Sequence, residues 1–88
     1  MFKIEFSPDF YDDFERIKKE NSKIGTKILT LILEISESPF TGTGKPEALK
    51  NELSGQWSRH ITDKHRLVYQ VIENTVIIFS CFGHYGDK

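Results

Sequence analysis

Residues 56–82 read QWSRHITDKHRLVYQVIENTVIIFSCF. The pattern predicts three strands, at about 56–62, 65–72 and 75–82, separated by Asp63-Lys64 and Glu73-Asn74. Two-residue separators can join only antiparallel neighbours, because a parallel crossover needs a dozen or more residues. The segment is therefore expected to form an antiparallel meander. Its last strand, Thr75 to Phe82, is apolar on both faces, which suits a central position. In the middle strand Arg66, Val68, Gln70 and Ile72 share one face, and Leu67, Tyr69 and Val71 the other. Periodicity alone leaves open which row is buried.

Working outward, residues 2–6 (FKIEF) alternate apolar and polar and predict one more short strand. Ser7-Pro8-Asp9 then reads as a helix start, with a hydroxyl cap, proline at the first helical position and an acid near the positive end of the dipole. Phe10, Phe14 and Ile17, with Tyr11 beside them, form an apolar stripe opposite Asp12, Asp13, Glu15, Arg16, Lys18 and Lys19. Asn21-Ser22 breaks the helix and restarts it. In the second helix Ile24, Ile28, Leu31, Ile32 and Ile35 recur at helical spacing, and Leu29 and Leu33 widen the stripe. That width predicts burial between the first helix and a sheet. Ser38-Pro39 ends the helix, since the residue before a proline is driven from helical backbone angles. Two helices so close in sequence make an αα-hairpin.

Between helix and meander, Phe40 to Leu53 is punctuated by glycine and proline and reads as a loop, with a helical turn at Pro46–Lys50. The order is β-α-α-β-β-β, and the expected class is α+β, with two helices on one face of a twisted, mostly antiparallel sheet. Eighty-eight residues suffice for a single domain, 1–88, with one modest core. An apolar share of 38% with 28% charged residues is that of an ordinary soluble globular chain and excludes wholesale disorder. No apolar run is long enough to span a membrane, and the N-terminus does not resemble a signal peptide. A lone cysteine, Cys81, excludes an internal disulfide framework and favours a cytoplasmic setting.

The formal net charge of -1 does not point to a nucleic-acid binder. Its distribution is more informative. Residues 43–70 carry Lys45, Lys50, Arg59, Lys64 and Arg66 against Glu47, Glu52 and Asp63, with His60 and His65 nearby. Each candidate there has a functional and a plain reading. Glu47 is either a general base or a solvated carboxylate in a turn. Lys45 and Lys50 are either phosphate contacts or solvated loop lysines. Arg59 and Arg66, on adjacent strands, suit phosphate oxygens and developing phosphoryl charge, or cross-strand salt bridges with Asp63 or Glu52. His84, just past the last strand, can exchange a proton near neutrality or be a surface residue. Tyr85 and Trp57 can stack on bases, and Trp57 can instead fill a core or a dimer interface. The histidines lack the paired spacing of a zinc site, so no metal or cofactor is expected.

Taken together, GKPEALK (44–50), LSGQWSRHI (53–61), HRLVY (65–69) and the pair His84-Tyr85 resemble the YoeB/Txe group of bacterial toxins, within the RelE superfamily. Four motifs in order, at near-constant spacing over almost the whole chain, make a specific match. The resemblance implies a RelE-like fold and a ribosome-dependent endoribonuclease, an mRNA interferase that cuts translated messages in the ribosomal A site without a metal. It also implies a YefM-like antitoxin partner, promoter DNA bound through that antitoxin, and homodimers. By the same resemblance Glu47 is the general base, Arg66 stabilises the transition state, His84 is the general acid and Tyr85 orients substrate. Lys50 and Arg59 match positions near the scissile phosphate and RNA backbone, and the residue types add Lys45 and Trp57 as candidate RNA contacts.

The chain departs from the family pattern at His60, where a second arginine is common, and at Phe82-Gly83, where a basic residue and an aromatic are common. Gly86-Asp87-Lys88 also extends past Tyr85. These departures keep a second reading open: a toxin-fold binding module that acts mainly as antitoxin partner and co-repressor, with weakened catalysis.

Overall fold

The computed structural model describes residues 1–83. Strand β3 (Gln56–His60) pairs antiparallel with β4 (Arg66–Ile72), and β4 with β5 (Thr75–Ser80), so the expected meander forms. Short strands flank it on both sides. β1 (Lys3–Phe6) runs parallel to β5, and β2 (Glu47–Ala48) antiparallel to β3, giving the order β1-β5-β4-β3-β2. β5 is interior, as its two apolar faces imply.

Strand β2 corrects the helical turn expected at Pro46–Lys50. The free edge of β3 supplies backbone groups that an isolated turn would leave to water, and pairing continues at Leu49, whose N–H donates to the Gln56 carbonyl at 2.9 Å. Helical geometry arrives later, as a 3₁₀ turn at Asn51–Leu53. The strands also end sooner than the apolar pattern suggests. Ile61 and Thr62 leave β3 because both their N–H groups turn inward to the His65 carbonyl, at 3.1 and 3.3 Å.

Helices α1 (Pro8–Glu20) and α2 (Ser22–Glu37) form the expected hairpin. Asn21 caps α2, its side-chain oxygen accepting from the Lys23 N–H at 3.0 Å. Ser7 does not cap α1 in the expected way. β1 ends beside β5, so Ser7 still faces β5 carbonyls and its hydroxyl donates to Phe79 at 2.7 Å. The core joins Phe10 and Ile17 of α1, Ile28, Leu31, Ile32 and Ile35 of α2, Leu67 and Tyr69 of β4, and Val76 and Ile78 of β5. The Leu67–Tyr69–Val71 row therefore faces the helices.

Leu29 and Leu33 correct a second expectation. They are 50% and 70% exposed, four residues apart on the outer side of α2. The helix has only α1 and the sheet to pack against, so a stripe wider than one face leaves its margin uncovered.

Candidate functional site

Arg59 is drawn into the interior of the molecule. Its side chain is fully buried, and its five N–H donors meet five acceptors. Nε donates to the Tyr69 hydroxyl at 3.2 Å, Nη1 to the Glu34 carboxylate and the Thr43 carbonyl, and Nη2 to the Ser38 and Thr41 carbonyls at 2.6 and 2.8 Å. Tyr69 passes the network on by donating to the Pro39 carbonyl at 2.6 Å. Glu34 is held below the usual carboxylate value, first by the Thr43 N–H, then by the Thr43 hydroxyl, with Arg59 adding to both against the opposing effect of burial. The anchored stretch, 38–43, is the loop that leads into β2. Arg59 is thus a clamp on that loop, and the expected phosphate contact is corrected: no donor remains to offer a ligand.

The loop then closes onto the end of β3. The His60 N–H donates to the Gly44 carbonyl at 2.6 Å. A Cβ on Gly44 would lie 2.9 Å from the His60 carbonyl oxygen, and the residue's φ is +86°, so glycine is required twice over. This contact delivers Glu47 to β3 in a defined register.

Register decides which side chains share a face, because directly opposed residues of paired strands point the same way. Glu47 opposes Ser58, Ser58 opposes Val68, and His60 opposes Arg66. Glu47, Ser58, His60, Arg66 and Val68 therefore lie together on the face away from the helices. Strand spacings put the Cα atoms of Glu47 and Arg66 on the order of 10 Å apart. Arg66 is half-buried, and its Nη1 donates to the carbonyls of Thr62, Asp63 and His65 at 2.7, 3.3 and 3.2 Å. Those bonds anchor the guanidinium by one nitrogen. Its Nη2 and Nε have no hydrogen bond within the described residues. A cleft of about 300 Å³, lined by Glu47, Ala48, Leu49, Lys50 and Asn51, opens beside Glu47. Lys45 and Lys50 are exposed at this edge.

The same register separates Trp57 from Glu47 and Arg66. It opposes Ala48 and Tyr69, on the helix-facing side, and its half-buried ring lies against Phe40 at 4.9 Å and 53°. Trp57 thus packs beside Phe40, on the opposite face from Glu47 and Arg66. His60 stays half-buried, its Nε2 3.6 Å from an Asp63 carboxylate oxygen.

His84 and Tyr85 lie outside the described residues. The chain that leads to them is held tightly. The Cys81 N–H donates to Asp13 of α1 at 3.0 Å, and the Phe82 ring lies under the Arg16 guanidinium at 3.9 Å and against the His65 ring at 4.6 Å. Gly83 is bound through both its peptide groups. Its N–H donates to His65 Nδ1 at 2.8 Å, and its carbonyl accepts from the Arg66 N–H at 3.0 Å. Burial, more than the nearby Lys64, lowers the pKa of His65 from its ordinary value, so the ring is neutral and available as an acceptor. The Cys81 thiol is pushed up to about 12, chiefly by burial, and behaves as a small apolar side chain. Among the described residues no His, Cys, Asp and Glu side chains gather as a metal site.

Sequence reasoning passed over His65, Glu34 and Asp13. Glu34 and Asp13 look like helix surface, since their partners are 25 and 68 residues away. For His65 the available signal was its place next to Arg66 in HRLVY.

The chain is similar to known proteins along almost its whole length. A model of the YoeB-like toxin of bacterial type II toxin–antitoxin systems matches residues 6–85. Toxin YoeB of Escherichia coli (strain K12) is 43% identical over 83 residues, covering 94% of this chain and 99% of that one. The YoeB dimer from Staphylococcus aureus superposes with a TM-score of 0.84 at 40% identity, over 96% of this chain and 98% of that one. The toxin in the heterotetrameric YoeB-YefM complex from the same organism gives 0.83 at 40%, over 97% and 99%. With the fold, the ordered motifs and these matches in agreement, the chain belongs to the YoeB-like toxins of bacterial type II toxin–antitoxin systems.

Proposed function

We propose that this toxin is a ribosome-dependent mRNA endoribonuclease that arrests translation by cutting messages in the ribosomal A site. The observation that carries the reading is the shared face of Glu47 and Arg66, fixed by two consecutive strand pairings. Glu47 takes the proton of an RNA 2′-hydroxyl, whose oxygen attacks the adjacent phosphorus. Arg66 meets the charge that builds on the phosphoryl oxygens, with Nη2 and Nε directed to them while Nη1 stays anchored. His84 gives a proton to the departing 5′-oxygen, and Tyr85 orients the nucleotide. The products are a 2′,3′-cyclic phosphate end and a 5′-hydroxyl end. Acid–base groups of this kind supply about 10²–10⁴-fold, and a preorganised charge about 10²–10³-fold. Lys50, which lines the cleft, and the exposed Lys45 contact the RNA backbone.

A near-neutral chain has little long-range attraction for free RNA, which supports delivery of the message by the ribosome, in the cytoplasm. The partner is a YefM-like antitoxin, in line with the S. aureus complex, and promoter DNA is reached through it. The exposed Leu29 and Leu33 and the half-exposed Phe40 support burial against a protein, either the antitoxin or a second copy.

Primer extension on translated and untranslated copies of one message tests the reading. Cuts are expected only in the translated message, and Glu47→Ala, Arg66→Ala and His84→Ala should each lower cutting by about 10²-fold or more. Undiminished antitoxin and operator binding without any cutting would instead establish the binding-module reading.

A further inference from the structure

We infer that His65 is a positioning residue for the general acid: together with the Arg66 N–H it grips Gly83 by both peptide groups and thereby sets where the chain presents His84. The inference rests on the reading of His84 as the acid.

The geometry is specific. Residues 65 and 66 are consecutive at the start of β4, and they take the N–H and the C=O of one residue at 2.8 and 3.0 Å. The next residue in the chain is His84. His65 is itself fixed. Its ring is buried and packs against Phe82, its N–H donates to the Thr62 hydroxyl at 3.1 Å, and its carbonyl accepts from Arg66 Nη1. One residue thus ties the Arg66 guanidinium and the approach to His84 into a single unit. Gly83 has a φ of +80° with open space where a Cβ would sit, so close packing does not hold it in place. The hydrogen bonds do. For Nδ1 to accept, the ring must carry its one proton on Nε2.

Single-turnover cleavage on programmed ribosomes tests this with four variants. His65→Phe keeps a ring against Phe82 and removes the acceptor. His65→Asn places an oxygen near Nδ1, and His65→Gln places it near Nε2. His84→Ala serves as the background for a double-mutant cycle. A displacement of about 1 Å can cost about 10²-fold in rate. His65→Phe should therefore slow cleavage by about 10–100-fold while leaving the half-saturating ribosome concentration unchanged. His65→Asn should recover most of that loss and His65→Gln little of it. In the His84→Ala background His65→Phe should cost less than about twofold, because the group it positions is gone.

The inference is overturned if folded His65→Phe cuts like the parent, or if it loses as much without His84 as with it. If the Phe variant does not fold, equal rates for the Asn and Gln variants overturn it. A parent chain that leaves translated message uncut defeats the enzymatic reading itself, and the inference with it. That outcome is distinct from an active parent with an additive cycle, which defeats only the role of His65.

Discussion

Arg59 and His65 show how much depends on the donors and acceptors around a side chain. Arg59 is a fixed cation of the kind that suits phosphate, yet five internal acceptors occupy it. Removing it leaves Tyr69 and the 38–43 carbonyls short of donors. Arg59→Met is expected to cost about 3–5 kcal/mol in urea denaturation. Arg59→Lys should recover only a small part, because an ammonium cannot span five acceptors in one plane. His65 makes a pH prediction. Burial and the nearby Lys64 and Arg16 lower its pKa below 6.5, against the opposing Glu20 and Asp13. The unfolded chain then binds a proton near pH 6.5 that the folded chain refuses, so this contribution to stability is complete above about 6.5 and is lost as pH falls through the lowered folded value. Glu34, also lowered, contributes above its ordinary 4.5 and loses that contribution as pH falls through its own folded value. The urea midpoint of the parent should therefore begin to decline as pH falls below about 6.5, and His65→Phe should flatten that first decline.

At the level of elements, the loop before β2 and the outer side of α2 behave oppositely. The loop places Glu47 through contacts of backbone on backbone, with Gly44 pressed against His60. Gly44→Ala is expected to cost about 1–3 kcal/mol by denaturation, through both the φ of +86° and the 2.9 Å approach. It should lower cleavage further, since β2 is only two residues long and its register hangs on that contact. The outer side of α2 supports nothing within the described chain. Leu33→Gln should leave the denaturation midpoint within about 0.5 kcal/mol of the parent. A much larger loss would mean that the side chain is buried in solution, as in a dimer.

At the scale of the whole molecule, two layers divide the work. The helix-facing side of the sheet carries the core, together with Arg59 and Trp57, and the other side carries Glu47 and Arg66. Charge is nearly balanced over the chain, and the positive groups of the second half are divided between these layers. Affinity for naked single-stranded RNA at physiological salt should accordingly be weaker than about 10⁻⁵ M, measured by filter binding. Tight binding with a steep salt dependence would indicate a nuclease that needs no ribosome.

The elements were legible from residues alone, because helix and strand periods, caps and breakers are local properties of the chain. The three strand-like runs of residues 56–82 determined the meander, and the short separators between them determined its antiparallel sense. The order of GKPEALK, LSGQWSRHI and HRLVY determined the family. Local patterns could not say which of two rows is covered, and packing decided that in favour of Leu67 and Tyr69. Nor could they show that Leu33 stays exposed, or that Glu47–Ala48 would pair with the edge of β3 rather than coil. The division among the candidate residues was likewise tertiary. Arg59 and Arg66 are alike in sequence, but Arg59 meets acceptors 10 to 25 residues away across the core, while Arg66 leans on its own hairpin through Nη1 alone among the described residues. Acceptors distant in the chain become neighbours only after helices and sheet have packed, so only the folded molecule could tie Arg59 into the interior and leave Arg66 on the opposite face.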